Sequence, residues 1–391
     1  MAETWDIFCR VVDNYGDVGV SWRLARSLAR EHGKTVRLWL DDVAVLARLR
    51  PEIDAARESQ VHEGVEIHRM RQTFTSADVA DVVVETFGCD PPEAYVQAMV
   101  GRAPAVRWIN LEYLSAEEWV EGSHKLPSPS PRLPLTKHYF FPGFTPQTGG
   151  LLREADLFAR RDAFQQEPGA QAKFWTGLVG ALPPGGALKV SLFTYEKAPV
   201  ESLVDACAGL GKPVWIVAPE GHAATLLASW SERDRESCRG WPPTGTGSNT
   251  VEMFTVPFLS QDRYDELLWA CDVNFVRGED SFVRAQWAGR PFAWHIYPQK
   301  EGAHWVKLTA FLKRYNAGLD PATAAAVTNL WEAWNGGGEV PDVATDLGAA
   351  WQAFVQRRES LSAHARAWAS RLQMQPGLAE ALVKYASDLL K

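Results

Sequence analysis

The sequence predicts an α/β chain built from two doubly wound parallel sheets. Apolar runs of strand length alternate with amphipathic stretches of helix length, which is the pattern of βαβ units. The alternation lapses in a Pro-, Gly- and Ser-rich stretch, GSHKLPSPSPRLPLTKHYFFPGFTPQTGG over 122–150, and a second series starts near residue 175. A length of 391 residues exceeds what one core usually serves, and 46% hydrophobic content can fill two. Two domains are expected, 1–174 and 175–374.

The bulk composition narrows the function classes. No apolar run reaches membrane-spanning length, and the start MAETWDIFCR lacks a basic region followed by an apolar signal core, so no membrane partner and a cytoplasmic location are expected. A formal charge of −8 with both signs interspersed argues against a nucleic-acid partner and suits a basic acceptor group. Five cysteines, Cys9, Cys89, Cys207, Cys238 and Cys271, form no CxxC pair, and the nine histidines form no HExxH or similar spacing. Free thiols and no metal are expected. The seventeen tryptophans are mostly core residues, with a weak hint of stacking on a base or sugar.

The first βαβ unit reads as a strand at WDIFCRVV, a loop at DNYGDVG, a helix at SWRLARSLAR and a second strand at TVRLWL. The loop has Gly16 and Gly19 but not the full GxGxxG pattern, and it places carboxylates where a pyrophosphate would sit. This counts against a dinucleotide oxidoreductase. Asp13 and Asp17 bracket the loop at the sheet edge where open α/β proteins bind ligands; each could be a turn former or helix cap, or the two could do acid/base work. Further strands at VVVE and AVRWI lead into loops at the same edge, TFGCDPP and NLEYLSAEE.

The second series has strands at ALKVSLFTY, PVWIVA, VEMFTV and DVNFV. Phe193 and Tyr195 end the first of these and Phe258 with Gln261 follows the third; strand-end aromatics are by themselves more often core than ligand contacts. The stretch Arg277 to Gln299 then reads as strand end, tight loop, helix and strand. Asp280 or Ser281 can cap that helix, whose first-turn amides and dipole suit a diphosphate, and Arg277 adds a positive charge. Arg277, Glu279, Asp280, Ser281, Arg284, Gln286, His295, Tyr297 and Gln299 crowd polar groups onto elements that otherwise look buried, as functional sites do. After Gln299 the chain is mainly helical, with amphipathic pieces at 343–357, 359–372 and 377–390.

Long segments also resemble a known family. RGEDSFVRAQ, GRPFAWHIYPQ, DNYGDVGVSWRLAR, NLEYLSAEEW, LPSP and YFFPGFTPQTGGLLRE are similar to the protein-arginine rhamnosyltransferases that modify bacterial elongation factor P. The likeness covers most of the chain. It implies a GT-B glycosyltransferase, in which two facing Rossmann-like domains leave a cleft and the C-terminal helix, 375–391, crosses back to complete the first. It also implies inverting transfer of L-rhamnose from dTDP-β-L-rhamnose to an arginine of elongation factor P, in support of ribosomes stalled at polyproline.

On this reading Asp17 is the catalytic base and Asp13 orients it or the guanidinium, because a delocalised cation is a poor nucleophile until a carboxylate positions it and takes its proton. Arg277 and the amides at Asp280 and Ser281 would hold the diphosphate, and Glu279 would accept from nucleoside or sugar hydroxyls. The resemblance adds Tyr195, Gln261, Phe193 and Phe258 to the donor site. No cofactor and no metal are expected, since a helix terminus and a cation already face the leaving group. The alternatives are another nucleotide-sugar transferase, a nicotinamide oxidoreductase, or a module that only binds a nucleotide sugar.

Overall fold

The structure, a computed structural model, describes residues 3–12, 15–237, 251–299, 302–337 and 346–390. The chain divides into two compact units, Met1–Leu157 with Arg371–Lys391, and Phe158–Ser370.

The first unit holds an eight-stranded sheet of β1 (Thr4–Cys9), β2 (Thr35–Leu40), β3 (Ser59–His62), β4 (Val65–Arg69), β5 (Val82–Thr86), β6 (Arg107–Leu111), β7 (Pro127–Pro129) and β8 (Thr136–Phe140). Their order is β3-β4-β2-β1-β5-β6-β8-β7, with β3 and β7 as antiparallel rims and every other pairing parallel. Without the rims, the parallel strands run third, second, first, fourth, fifth, sixth in chain order, the dinucleotide-fold arrangement. The order therefore reverses between β1 and β5, and the C-terminal ends of those two strands are the place where open α/β sheets bind their ligands. Being central, β1 and β5 are buried on both faces, which is why TWDIFC and VVVET read as nearly continuous apolar runs. The one acid inside β1, Asp6, is neutralised by Arg37, whose Nε and NH2 nitrogens donate to its two oxygens at 2.6 and 2.7 Å. The helix Leu378–Asp388 belongs to this unit, with the Arg107 guanidinium donating to the Ala386 carbonyl at 3.2 Å and Leu378 N–H to Leu151 O at 3.0 Å.

Three local features depart from the sequence reading. The first helix spans Gly16–Arg30, so the loop after β1 is shorter than DNYGDVG and Asp17 lies in the first helical turn. The β3–β4 hairpin escaped notice because its strands are short and largely polar; its turn is Glu63–Gly64, both at positive φ, as a two-residue hairpin of this hand requires. Within 122–150 the chain forms β7 and β8, and β7 can carry two prolines because a rim strand does not need every N–H for pairing.

The second unit has a five-stranded parallel sheet of β9 (Leu188–Leu192), β10 (Val214–Pro219), β11 (Val251–Val256), β12 (Val273–Arg277) and β13 (Phe292–His295), in the order β11-β10-β9-β12-β13. The same arrangement recurs, third, second, first, fourth, fifth, and the reversal falls between β9 and β12. Trp5, Trp22, Trp215, Trp287, Trp331, Trp334 and Trp351 are fully buried, so at least these tryptophans serve the cores. Among the described residues no helix is long and apolar enough to cross a membrane. Cys9, Cys89, Cys207 and Cys271 are buried free thiols, and Cys238 lies outside the described residues.

Two of the crowded polar residues are structural. Arg284, 2% exposed, reaches from the helix Asp280–Ala288 to Asp265, 1% exposed, on the helix Gln261–Ala270, its Nε and NH2 nitrogens 2.9 and 2.5 Å from the two carboxylate oxygens. Gln286 accepts from the Trp368 indole at 2.8 Å. Crowding on a buried helix therefore overstated the site at these positions. Removing one partner of a buried pair strands the other charge, so Asp265→Ala is expected to cost about 3–5 kcal/mol, read as a lower urea midpoint at an unchanged slope.

Candidate functional site

In the second unit the chain leaves β9 through Phe193, Thr194 and Tyr195 and leaves β12 through Arg277, Gly278 and Glu279, at the two strand ends flanking the reversal of order. Arg277 is the centre of this corner. Its guanidinium carbon lies 4.5 Å from the ring centroids of both Phe193 and Tyr195. Among the described residues no carboxylate pairs with it. A half-buried guanidinium held between two rings without a counter-ion has given up hydration and presents its charge to whatever anion enters.

Glu279 is the N-cap of the helix Asp280–Ala288, and its side chain makes no capping bond. Neither Asp280 nor Ser281 caps the helix, as the sequence had led us to expect. The Ser281 hydroxyl turns back to the strand, accepting from Arg277 N–H at 3.2 Å and donating to the Arg277 carbonyl, while Asp280 accepts from Gln261 Nε2 at 3.1 Å. These bonds fix the bend from β12 into the helix and point its N-terminal dipole, positive end first, at the corner beside Arg277. Gln261 is 3% exposed at the start of its own helix, and Phe258 is half-buried three residues before it.

His295, at the end of β13, closes the corner from the far side and is 4% exposed. Its Nδ1 accepts from the Tyr195 N–H at 3.2 Å and contacts the Thr194 hydroxyl, so the neutral ring carries its proton on Nε2. Burial first, then the Arg277 charge, push its pKa down to about 4.

In the first unit Asp17 occupies the corresponding corner. It is 2% exposed, and its Oδ2 accepts from Val12 N–H at 2.9 Å, which ties the loop after β1 to the helix. Its Oδ1 accepts from the Tyr113 hydroxyl at 3.3 Å. Tyr113 follows β6 and stacks on Phe87, which follows β5. A carboxylate thus sits at the helix N-terminus where a dinucleotide fold would place pyrophosphate. Asp13 lies outside the described residues.

Comparison with known proteins decides between the enzyme classes compatible with this geometry. A family model described as "Elongation-Factor P (EF-P) rhamnosyltransferase EarP" matches residues 5–387. The chain belongs to the EarP family. It is 48% identical over 394 residues to a protein-arginine rhamnosyltransferase of Pseudomonas putida, covering 100% of both chains, and 43% identical to the protein of that name from Pseudomonas aeruginosa, covering 99% of this chain and 100% of the relative. Among solved structures, one described as "Structural basis for EarP-mediated arginine glycosylation of translation elongation factor EF-P" aligns with TM-score 0.67 at 38% identity, covering 99% of each chain. A glycosyltransferase from Rickettsia africae aligns with TM-score 0.53 at 10% identity over 100% of this chain and 99% of its own, a likeness of fold alone. The architecture is GT-B, and the chain is a glycosyltransferase.

Within this EarP-family chain the structure brings Phe193, Tyr195 and Arg277 together, with Ser281 bonded to Arg277 and Gln261 to Asp280. The sequence reading counted His295 among the crowded polar groups without a specific role and did not single out Tyr113. The signal was available for both, since His295 ends and Tyr113 follows a parallel strand at the ligand edge of its sheet. Among the described residues no cluster of three or more His, Cys, Asp or Glu could hold a metal ion.

The depressed His295 value carries a stability signature. Between its ordinary value of 6.5 and about 4 the unfolded chain binds more protons than the folded one, so stability falls as pH falls through that window. His295→Asn, which keeps an acceptor for the Tyr195 N–H, is expected to remove about 2 kcal/mol of that acid-side loss between pH 7.5 and 5. Paired urea titrations of wild type and variant at pH 7.5 and 5 measure the difference.

Proposed function

We propose that this protein transfers L-rhamnose from dTDP-β-L-rhamnose to the side chain of an arginine of elongation factor P. The observation that carries the donor half is the Arg277 guanidinium, clasped by Phe193 and Tyr195 beside a helix N-terminus, with no carboxylate partner among the described residues. That combination fits a diphosphate leaving group. The acceptor half rests on the family and on Asp17, a buried carboxylate held by a backbone N–H and a phenol.

In the proposed reaction a guanidine nitrogen attacks the anomeric carbon from the face opposite the diphosphate. The new C–N bond forms as the C–O bond to dTDP breaks, and the sugar inverts. Asp17 orients the guanidinium and takes its proton late in the displacement, once bonding has made the nitrogen acidic; Asp13 assists that orientation. Arg277 and the amides at Asp280 and Ser281 neutralise the departing diphosphate. Glu279 accepts from sugar or nucleoside hydroxyls, Tyr195 and Gln261 meet the phosphates or base, and Phe193 and Phe258 give the nucleotide apolar contact. We assign the reaction to the cytoplasm, where the modified factor would serve ribosomes stalled at polyproline.

Intact mass of purified elongation factor P after incubation with this protein and dTDP-rhamnose tests the reading. One deoxyhexose on one arginine supports it; an unmodified factor alongside consumed or untouched donor refutes it. In the same assay Asp17→Asn should lower turnover by at least about a hundredfold, with dTDP affinity unchanged by calorimetry. Turnover near the wild-type rate would remove Asp17 from the role of base. Because the diphosphate is balanced by Arg277 and a helix terminus, full activity in excess EDTA is also expected, and a chelator-sensitive rate restored by Mn²⁺ would make Glu279 and Asp280 metal ligands instead.

A further inference from the structure

Beside Asp17 the first unit carries an aromatic pair whose ring faces the mechanism above does not use. Phe87 and Tyr113 stack with ring centroids 4.3 Å apart and planes inclined by 14°. Both are half-buried, so the pair lies at the ligand edge of the sheet and not within the core. The Tyr113 hydroxyl, 3.3 Å from Asp17 Oδ1, sets the stack against the carboxylate.

The backbone at Phe87 is unusual. Its φ is +59°, in the left-handed region that a bulky side chain seldom enters, and Gly88 follows at +68°. The turn is held by Phe87 N–H donating to Leu111 O at 2.6 Å and Gly88 N–H to Asn110 Oδ1 at 3.2 Å. These bonds extend the β5–β6 pairing past the strand ends and bring the Phe87 ring onto Tyr113. A glycine would take this backbone at no cost, so the phenylalanine ring is what the position retains against local strain.

We propose that the Phe87–Tyr113 stack is the acceptor seat: the planar guanidinium lies on an outer ring face while its N–H edge meets the Asp17 carboxylate. Guanidinium is flat, delocalised and weakly hydrated, and it stacks on aromatic rings where a lysine ammonium does not. The seat therefore selects arginine over lysine before any chemistry occurs. Tyr113 is in addition a positioning residue for Asp17. The inference rests on the acceptor reading proposed above.

The test compares dissociation constants, by calorimetry with dTDP present, for elongation factor P and for the same factor with its acceptor arginine replaced by lysine. Wild-type protein should prefer the arginine form by about tenfold or more. Phe87→Gly, which suits the backbone, and Tyr113→Leu should reduce the preference to about twofold or less, with dTDP affinity unchanged and a cooperative thermal transition retained. The flat-ring variants Phe87→Tyr and Tyr113→Phe should keep the preference, and Tyr113→Phe should lower kcat through Asp17. A preference that survives ring removal, or is lost equally in the flat-ring variants, overturns the proposal. Wild-type protein that adds no deoxyhexose to the arginine refutes the underlying acceptor reading instead, and this inference falls with it.

Discussion

A half-buried guanidinium with no carboxylate partner among the described residues constrains everything around it. Arg277 is clasped between Phe193 and Tyr195, and each neighbouring element contributes to keeping it there. Ser281 bonds both the N–H and the carbonyl of Arg277, so the strand end and the helix start move as one piece. His295 fixes the Tyr195 backbone from β13 and stays neutral near pH 7, because burial first and then the neighbouring Arg277 charge disfavour its cation. The buried Arg284–Asp265 pair locks the two helices behind the corner. An arrangement of this kind is uneconomical for stability alone and makes sense as a preformed anion seat.

The fold repeats one device with opposite charge. Both sheets have the strand order of dinucleotide folds, and in both the functional corner lies where that order reverses. The second unit puts a cation and a helix N-terminus there, suited to a leaving diphosphate. The first puts Asp17 in the first helical turn, which repels phosphate and attracts a basic acceptor. The same supersecondary plan thus presents opposite charges where the strand order reverses, through Arg277 at the end of the fourth parallel strand of its unit and Asp17 in the helix after the first strand of its own.

Most of this was legible in the sequence because the signals are local. β11 was read to the residue and β2 likewise, because each is a short run rich in β-branched and aromatic residues bounded by polar turn signals. The RGEDS turn announced itself by charge after an apolar strand. What escaped depends on contacts distant in sequence. Gly16 and Gly19 look like loop residues, yet the helix begins there because Gly19 N–H finds the Tyr15 carbonyl and Asp17 anchors Val12. Tyr113 is 96 residues from Asp17 and Phe87 is 26 from Tyr113, so no spacing rule could join them. Arg284 and Gln286 misled in the opposite sense, because periodicity cannot show that Asp265 and Trp368 stand ready to satisfy them.

The claim on which the account turns is that the Arg277 charge awaits the donor's diphosphate. Calorimetric titration of dTDP into wild type, Arg277→Lys and Arg277→Gln measures it directly. Loss of a charge-assisted contact predicts affinity about ten- to a hundredfold weaker for Arg277→Gln, with Arg277→Lys intermediate because it keeps charge and loses the flat fork clasped by Phe193 and Tyr195. Unchanged dTDP affinity in a folded Arg277→Gln protein would contradict the account and move the donor site elsewhere.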